Sequence, residues 1–168
     1  TLDRSSAASD VYKRQVDNNE IKHVVGIDRG LRQLTTTYDE KGQTLFINGQ
    51  DIIKKRRHFK SLRSQLQSKN TKSSKKRLKS IEKRENRWMN DVNHQISKAL
   101  VDKYGTNTLF VLEDLTGVTF DTVNYRKKEN RYEHMSWSFF DLEKKLIYKA
   151  YQNKSMVINV SARYTSQR

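Results

Sequence analysis

Two short apolar runs in this chain each end in a carboxylate: Val24-Val25-Gly26-Ile27-Asp28 near the start and Leu109-Phe110-Val111-Leu112-Glu113 much further on. Runs of this length and β-branched content read as buried strands. An ionised carboxylate at the end of a buried strand is expensive unless a cation or a dense set of donors meets it. Two such placements therefore point to a shared metal site. The plainer alternative is a pair of ordinary strand-end carboxylates, solvated or capping a helix.

The segments around these runs set the element order. His23 to Asp28, Gln33 to Tyr38 and Thr44 to Asn48 read as three strands with short connections, the second through Asp39-Glu40-Lys41-Gly42, which predicts an antiparallel meander. Lys54 to Arg87 then holds fifteen Lys or Arg against only Glu82 and Glu85, a net of +13 in a chain whose formal charge is +15. Apolar residues recur there at helical spacing: Phe59, Leu62 and Leu66, then Leu78, Ile81, Trp88, Val92, Ile96 and Leu100. This predicts two helices across the basic segment 52–103, joined by a polar break from Ser68 to Ser74. Thr108 to Glu113 is a fourth strand, reached through the helical crossover that parallel pairing requires. Asp121 to Met135 is polar and aperiodic and reads as a loop. Ser136 to Gln152 is helical, with Phe140, Ile147 and Tyr151, and Trp137 and Leu146 beside them, as its apolar side; Met156 to Val160 is a closing strand. Residues 1–15 show neither periodicity and are set aside as a flexible or non-native tail, leaving 16–168 as the domain.

This order is that of an α/β, ribonuclease H-like mixed sheet with a long basic helical insertion between the third and fourth strands. In such a sheet the first and fourth strands are neighbours, so Asp28 and Glu113 converge. Their mutual repulsion is relieved by one or two Mg²⁺ or Mn²⁺ ions. Asp114 points away from Glu113 by strand alternation and takes at most a minor part. Asp141 and Glu143 are expected to be solvated. His94, three residues after Asp91, reads as a core-edge histidine rather than half of a metal pair, and Trp88 and Trp137 read as packing residues. Tyr125, Arg131 and Tyr132 in the polar loop are candidates for stacking on bases.

The basic balance, with a pI near 10.0, favours a polyanionic partner, nucleic acid first. Lys54, Lys55, Arg56, Arg57, Lys60, Arg63, Lys72, Lys75, Lys76, Arg77, Lys79, Arg84 and Arg87 are the expected phosphate-gripping set, which would position a strand without reading its sequence. No apolar run is long enough to span a bilayer, and no membrane partner is expected. The chain has no cysteine, which excludes disulfides and cysteine zinc sites within it, and residues 1–15 lack the apolar core of a secretory signal. An intracellular location is expected.

Val25-Gly26-Ile27-Asp28-Arg29-Gly30 resembles a first RuvC-type motif, and Val111-Leu112-Glu113-Asp114-Leu115 a second. Asn90-Asp91-Val92-Asn93-His94-Gln95-Ile96-Ser97 lies between them, and Trp137-Ser138-Phe139-Phe140 and Tyr164-Thr165-Ser166-Gln167 follow. In that order, over roughly Ile21 to Gln167, the chain resembles the OrfB/TnpB family of insertion-sequence proteins, probable transposases understood as RNA-guided DNA endonucleases related to type V CRISPR effectors. The resemblance implies a RuvC-type nuclease in the prokaryotic cytoplasm, with Asp28 and Glu113 as Mg²⁺ or Mn²⁺ ligands and DNA and guide RNA as partners. It also implies a third catalytic carboxylate beyond a four-cysteine zinc ribbon. Arg168 stands where the family has the first of those cysteines, so a partial nuclease domain is expected, without ribbon, zinc or third acid, and without the family's amino-terminal nucleic-acid-binding region. Alone it is expected to cleave DNA poorly or not at all. A non-catalytic nucleic-acid-binding module of the same fold is the alternative; a ribonuclease or resolvase is a third reading.

Overall fold

Strand alternation explains the sheet. In β1 (His23–Asp28), Val25 and Ile27 are buried while Val24 and Asp28 are exposed, so one face meets a core and the other does not. The computed structural model describes residues 21–30, 32–115 and 139–161. β2 (Gln33–Asp39) and β3 (Thr44–Asn48) complete an antiparallel meander with β1. The β2–β3 turn is fixed by Asp39, whose Oδ1 accepts from the main-chain N–H of Lys41 at 3.0 Å and Gln43 at 2.7 Å, and by Gly42 at φ 77°.

Two helices follow, α1 (Gln50–Lys69) and α2 (Lys72–Tyr104). The break between them is only Asn70 and Thr71, narrower than the Ser68–Ser74 expected. Asn70 takes the left-handed conformation at φ 45°, and Thr71 opens a capping box: its hydroxyl accepts from the Ser74 N–H at 3.1 Å, and Ser74 Oγ accepts from the Thr71 N–H at 2.9 Å. Serines that look like loop in the sequence thus form the first turn of a 33-residue helix.

β4 (Thr108–Asp114) pairs parallel with β1, and β5 (Met156–Ser161) pairs parallel with β4. Among the described residues the sheet has five strands in the order β3-β2-β1-β4-β5, a mixed α/β architecture. The second half of α2 and the helix α3 (Phe139–Gln152) cover one face. Met89, Val92, Ile96 and Leu100 of α2 and Leu142, Leu146 and Ala150 of α3 pack there with Val25, Ile27, Leu34, Phe110 and Leu112. The apolar side assigned to α3 from sequence is corrected here. Phe140 is 66 % exposed and Tyr151 41 %, because the i, i+4, i+8 row of Leu142, Leu146 and Ala150 takes the core. The first half of α2 leaves the sheet and pairs with α1 as a basic hairpin, with Phe59 against Trp88 at a 6.0 Å ring separation. Among the described residues no helix is long and apolar enough to cross a membrane.

Candidate metal centre and nucleic-acid interface

The register brings the two carboxylates together. Val25 pairs with Phe110 and Ile27 with Leu112, all four buried toward the helices. One residue on, Asp28 and Glu113 therefore lie side by side on the opposite face of adjacent parallel strands. The same row continues outward to Thr36 beyond Asp28 and to Val160 beyond Glu113. Asp28 is exposed and Glu113 half-buried. Hard oxygen donors of this kind, at the carboxyl ends of adjacent parallel strands, are of the chemical class that Mg²⁺ or Mn²⁺ takes. Among the described residues no group of three or more His, Cys, Asp or Glu side chains comes together to hold a metal.

Directly behind this pair sits a residue that the sequence reading missed. The alternation that buries Val25 and Ile27 continues to Arg29, whose side chain is 2 % exposed. Its Nη1 donates to Glu143 Oε2 at 2.7 Å and its Nη2 to the main-chain carbonyl of Glu113 at 2.5 Å. Glu143 Oε1 in turn accepts from Asn159 Nδ2 at 2.7 Å. The inward parity of Arg29 was a legible signal, but its partner on α3, 114 residues away, was not.

Glu143 and Asp141 were expected to be solvated, and both are corrected. Asp141 accepts from Asn93 Nδ2 at 2.7 Å and from Lys145 Nζ at 2.5 Å. Burial raises its pKa, yet these two donors outweigh that and hold the carboxyl below its usual range. Both acids face buried partners because α3 presents them to α2 and to the sheet ends rather than to water. His94 packs as expected: its ring meets Tyr148 edge-on, Nδ1 lies 3.2 Å from the Tyr148 hydroxyl, and Asp91 bonds Gln95 instead. The stacking candidates Tyr125, Arg131 and Tyr132 and the packing candidate Trp137 lie outside the described residues, as does the segment Tyr164 to Gln167.

The hairpin displays most of the expected phosphate-gripping set. Lys54, Lys55, Arg57, Lys60, Lys72, Lys75, Lys76, Arg77, Lys79, Arg84 and Arg87 are exposed. Arg56 is the correction, being buried beside Glu85 with Nε 3.8 Å from Oε1. Arg63, half-buried, is ion-paired to the same carboxylate, and burial and the Arg56 charge lower its pKa. Glu85 is itself buried and draws both guanidiniums inward, off the surface a phosphate can reach. Lys55 lies 4.5 Å from the Trp88 ring centre. Between the helices runs a groove of about 870 Å³ with Phe59, Leu62, Leu66 and Ile81 on its walls and Lys76, Arg77 and Arg84 among its basic residues.

Fold and site thus define a mixed α/β domain with a carboxylate pair on adjacent parallel strands and an appended basic hairpin. The family profile described as a probable transposase, OrfB, matches residues 9–117, and the chain belongs to this family. It is 35 % identical over 99 residues to the CRISPR-associated endodeoxyribonuclease Cas12f1 of Sulfoacidibacillus thermotolerans, an alignment covering 55 % of this chain and 21 % of that protein. Its fold is similar to a chain in the cryo-EM structure of the Cas12f1-sgRNA-target DNA complex, with a TM-score of 0.63, 16 % identity, and coverage of 86 % of this chain and 37 % of that one. The chain thus spans about a fifth of the curated relative's length.

Proposed function

We propose that this chain forms part of a RuvC-type, ribonuclease H-like nuclease core of a transposon-associated DNA endonuclease, with the hairpin holding DNA and a guide RNA. The observation that carries the reading is the register, which sets Asp28 beside Glu113 on one sheet face next to a helical pair rich in exposed Lys and Arg. Family membership and the named relative, an endodeoxyribonuclease whose structural counterpart is held with a guide RNA and target DNA, support it. Asp28 and Glu113 are the residues that would hold Mg²⁺ or Mn²⁺. When bound, such an ion polarises a phosphodiester and lowers the pKa of water. The chain's own part is to hold both carboxylates on one face and to bring a polyanion to them by phosphate contacts.

The test is binding of single-stranded DNA, RNA and duplex DNA across a salt series, with and without Mn²⁺. Affinity should fall steeply with salt, and Mn²⁺ should strengthen binding in a manner lost in Asp28→Ala and in Glu113→Ala. A flat salt dependence overturns the hairpin's role. A Mn²⁺ effect that survives both substitutions overturns the metal centre. Steep salt dependence with indifference to Mn²⁺ favours a non-catalytic binding module, a reading motivated by the absence of a third ligand among the described residues.

A further inference from the structure

The ladder between β1 and β4 runs as far as Ile27 and Leu112, one residue short of the carboxylates, whereas β4 and β5 stay paired through Glu113 and Asp114. Strand pairing thus brings Asp28 beside Glu113 but does not itself extend to these two residues. Arg29 spans this opening. Its position is tied to Asp28 by one peptide unit, and Nη2 grips the main chain of Glu113 itself. Its other arm reaches Glu143 on α3, which Asn159 on β5 also holds. One guanidinium thus links the ends of β1, β4 and β5 to α3.

The chain leaves this point tightly. A Cβ on Gly30 would stand 2.9 Å from the Gln33 carbonyl oxygen, so the backbone turns within a space that only glycine fits. Burying an arginine here is costly, and its Nε, also buried, has no hydrogen-bond partner among the described residues. An aliphatic residue at this inward position would serve packing better. A planar fork with two donors in fixed relation does what an aliphatic residue or a lysine cannot, bracing two acceptors at once.

We propose that Arg29 is a positioning residue for the carboxylate pair, its guanidinium holding the Glu113 main chain at the separation from Asp28 at which one divalent cation meets both side chains. This rests on the reading of Asp28 and Glu113 as metal ligands. Groups that orient ligands in this way typically change metal affinity by about 10–100-fold when lost.

Mn²⁺ binding by this chain, followed by the electron paramagnetic resonance signal of the free ion, tests it alongside a urea unfolding curve for each variant. The unaltered chain should bind and Asp28→Asn should not. Arg29→Lys keeps the charge but only one arm, and should weaken binding by about 10-fold or more in molecules that remain folded. Glu143→Gln retains shape and should give a smaller loss, and Asn159→Ala, furthest from the ligands, the smallest. Variants that lower the unfolding midpoint yet bind Mn²⁺ as tightly as the unaltered chain show a merely structural role and overturn the proposal. If Arg29→Lys does not fold, unchanged affinity in Glu143→Gln overturns it equally. Mn²⁺ binding that Asp28→Asn leaves intact instead identifies failure of the ligand assignment, and the positioning role falls with it.

Discussion

Sheet and hairpin each bury one arginine, and each meets it with a glutamate from a neighbouring helix. At the sheet, Arg29 faces one carboxylate and one main-chain carbonyl, and that carboxylate is braced in turn by Asn159. In the hairpin, Arg56 and Arg63 of one helix both pair with Glu85 of the other, Arg56 through its Nε at 3.8 Å and Arg63 through a closer contact. The first arrangement specifies geometry. The second supplies attraction between two helices whose surfaces otherwise repel, since Glu85 is one of only two acids in the stretch from Lys54 to Arg87. A buried ion pair can therefore locate atoms or hold two charged helices together.

The largest loss of stability is expected from Glu85→Ala. It removes the buried carboxylate that Arg56 and Arg63 both face and should destabilise the chain by about 3–5 kcal/mol in urea unfolding. Glu143→Ala should cost less, about 1.5–3 kcal/mol, because Arg29 keeps the Glu113 carbonyl. The reverse order would mean that Glu143, not Glu85, carries the greater structural charge burden. Smaller still is the effect of replacing the exposed Lys75 and Lys76 by alanine, within about 0.5 kcal/mol of stability. The same double substitution should reduce the salt slope of nucleic-acid binding by about 2, separating the display of charge from its burial. The last effect concerns Glu40, at the end of β1 opposite Asp28. Its carboxylate accepts from His23 Nδ1 at 2.8 Å and the Val24 N–H at 3.0 Å, and these bonds, the histidine's first, lower its pKa from 4.5 to about 2. A depressed carboxyl stabilises the fold above its unfolded pKa. That contribution should fade as pH falls from about 4.5 toward 2, visible as loss of the His23–Glu40 contact by NMR before the core responds.

The strands, and the place of Asp28 and Glu113 at the ends of two of them, were legible because apolar runs, β-branched residues and strand parity are local signals. Parallel adjacency followed from the crossover between Asn48 and Thr108. What escaped depended on partners distant in sequence. Arg56 resembles its exposed neighbours Lys55 and Arg57 until Glu85 is placed opposite it. Asp141 and Glu143 carry no mark of burial: Lys145 is a local partner four residues on, but Asn93 and Arg29 reach them only in the folded chain. On α3 the large aromatics Phe140 and Tyr151 outweighed the small Ala150, yet the close approach to α2 and the sheet favours the smaller residue.

The pairing of β1 with β4 across the whole hairpin also dictates a sequence of events in folding. The meander and the two helices close over short spans of chain, while β1 finds β4 only after both helices have been laid down. Long-range parallel contacts of this kind are slow to form. A nascent chain that has not yet extended to β4 thus has Asp28 at the end of a strand whose parallel neighbour does not yet exist.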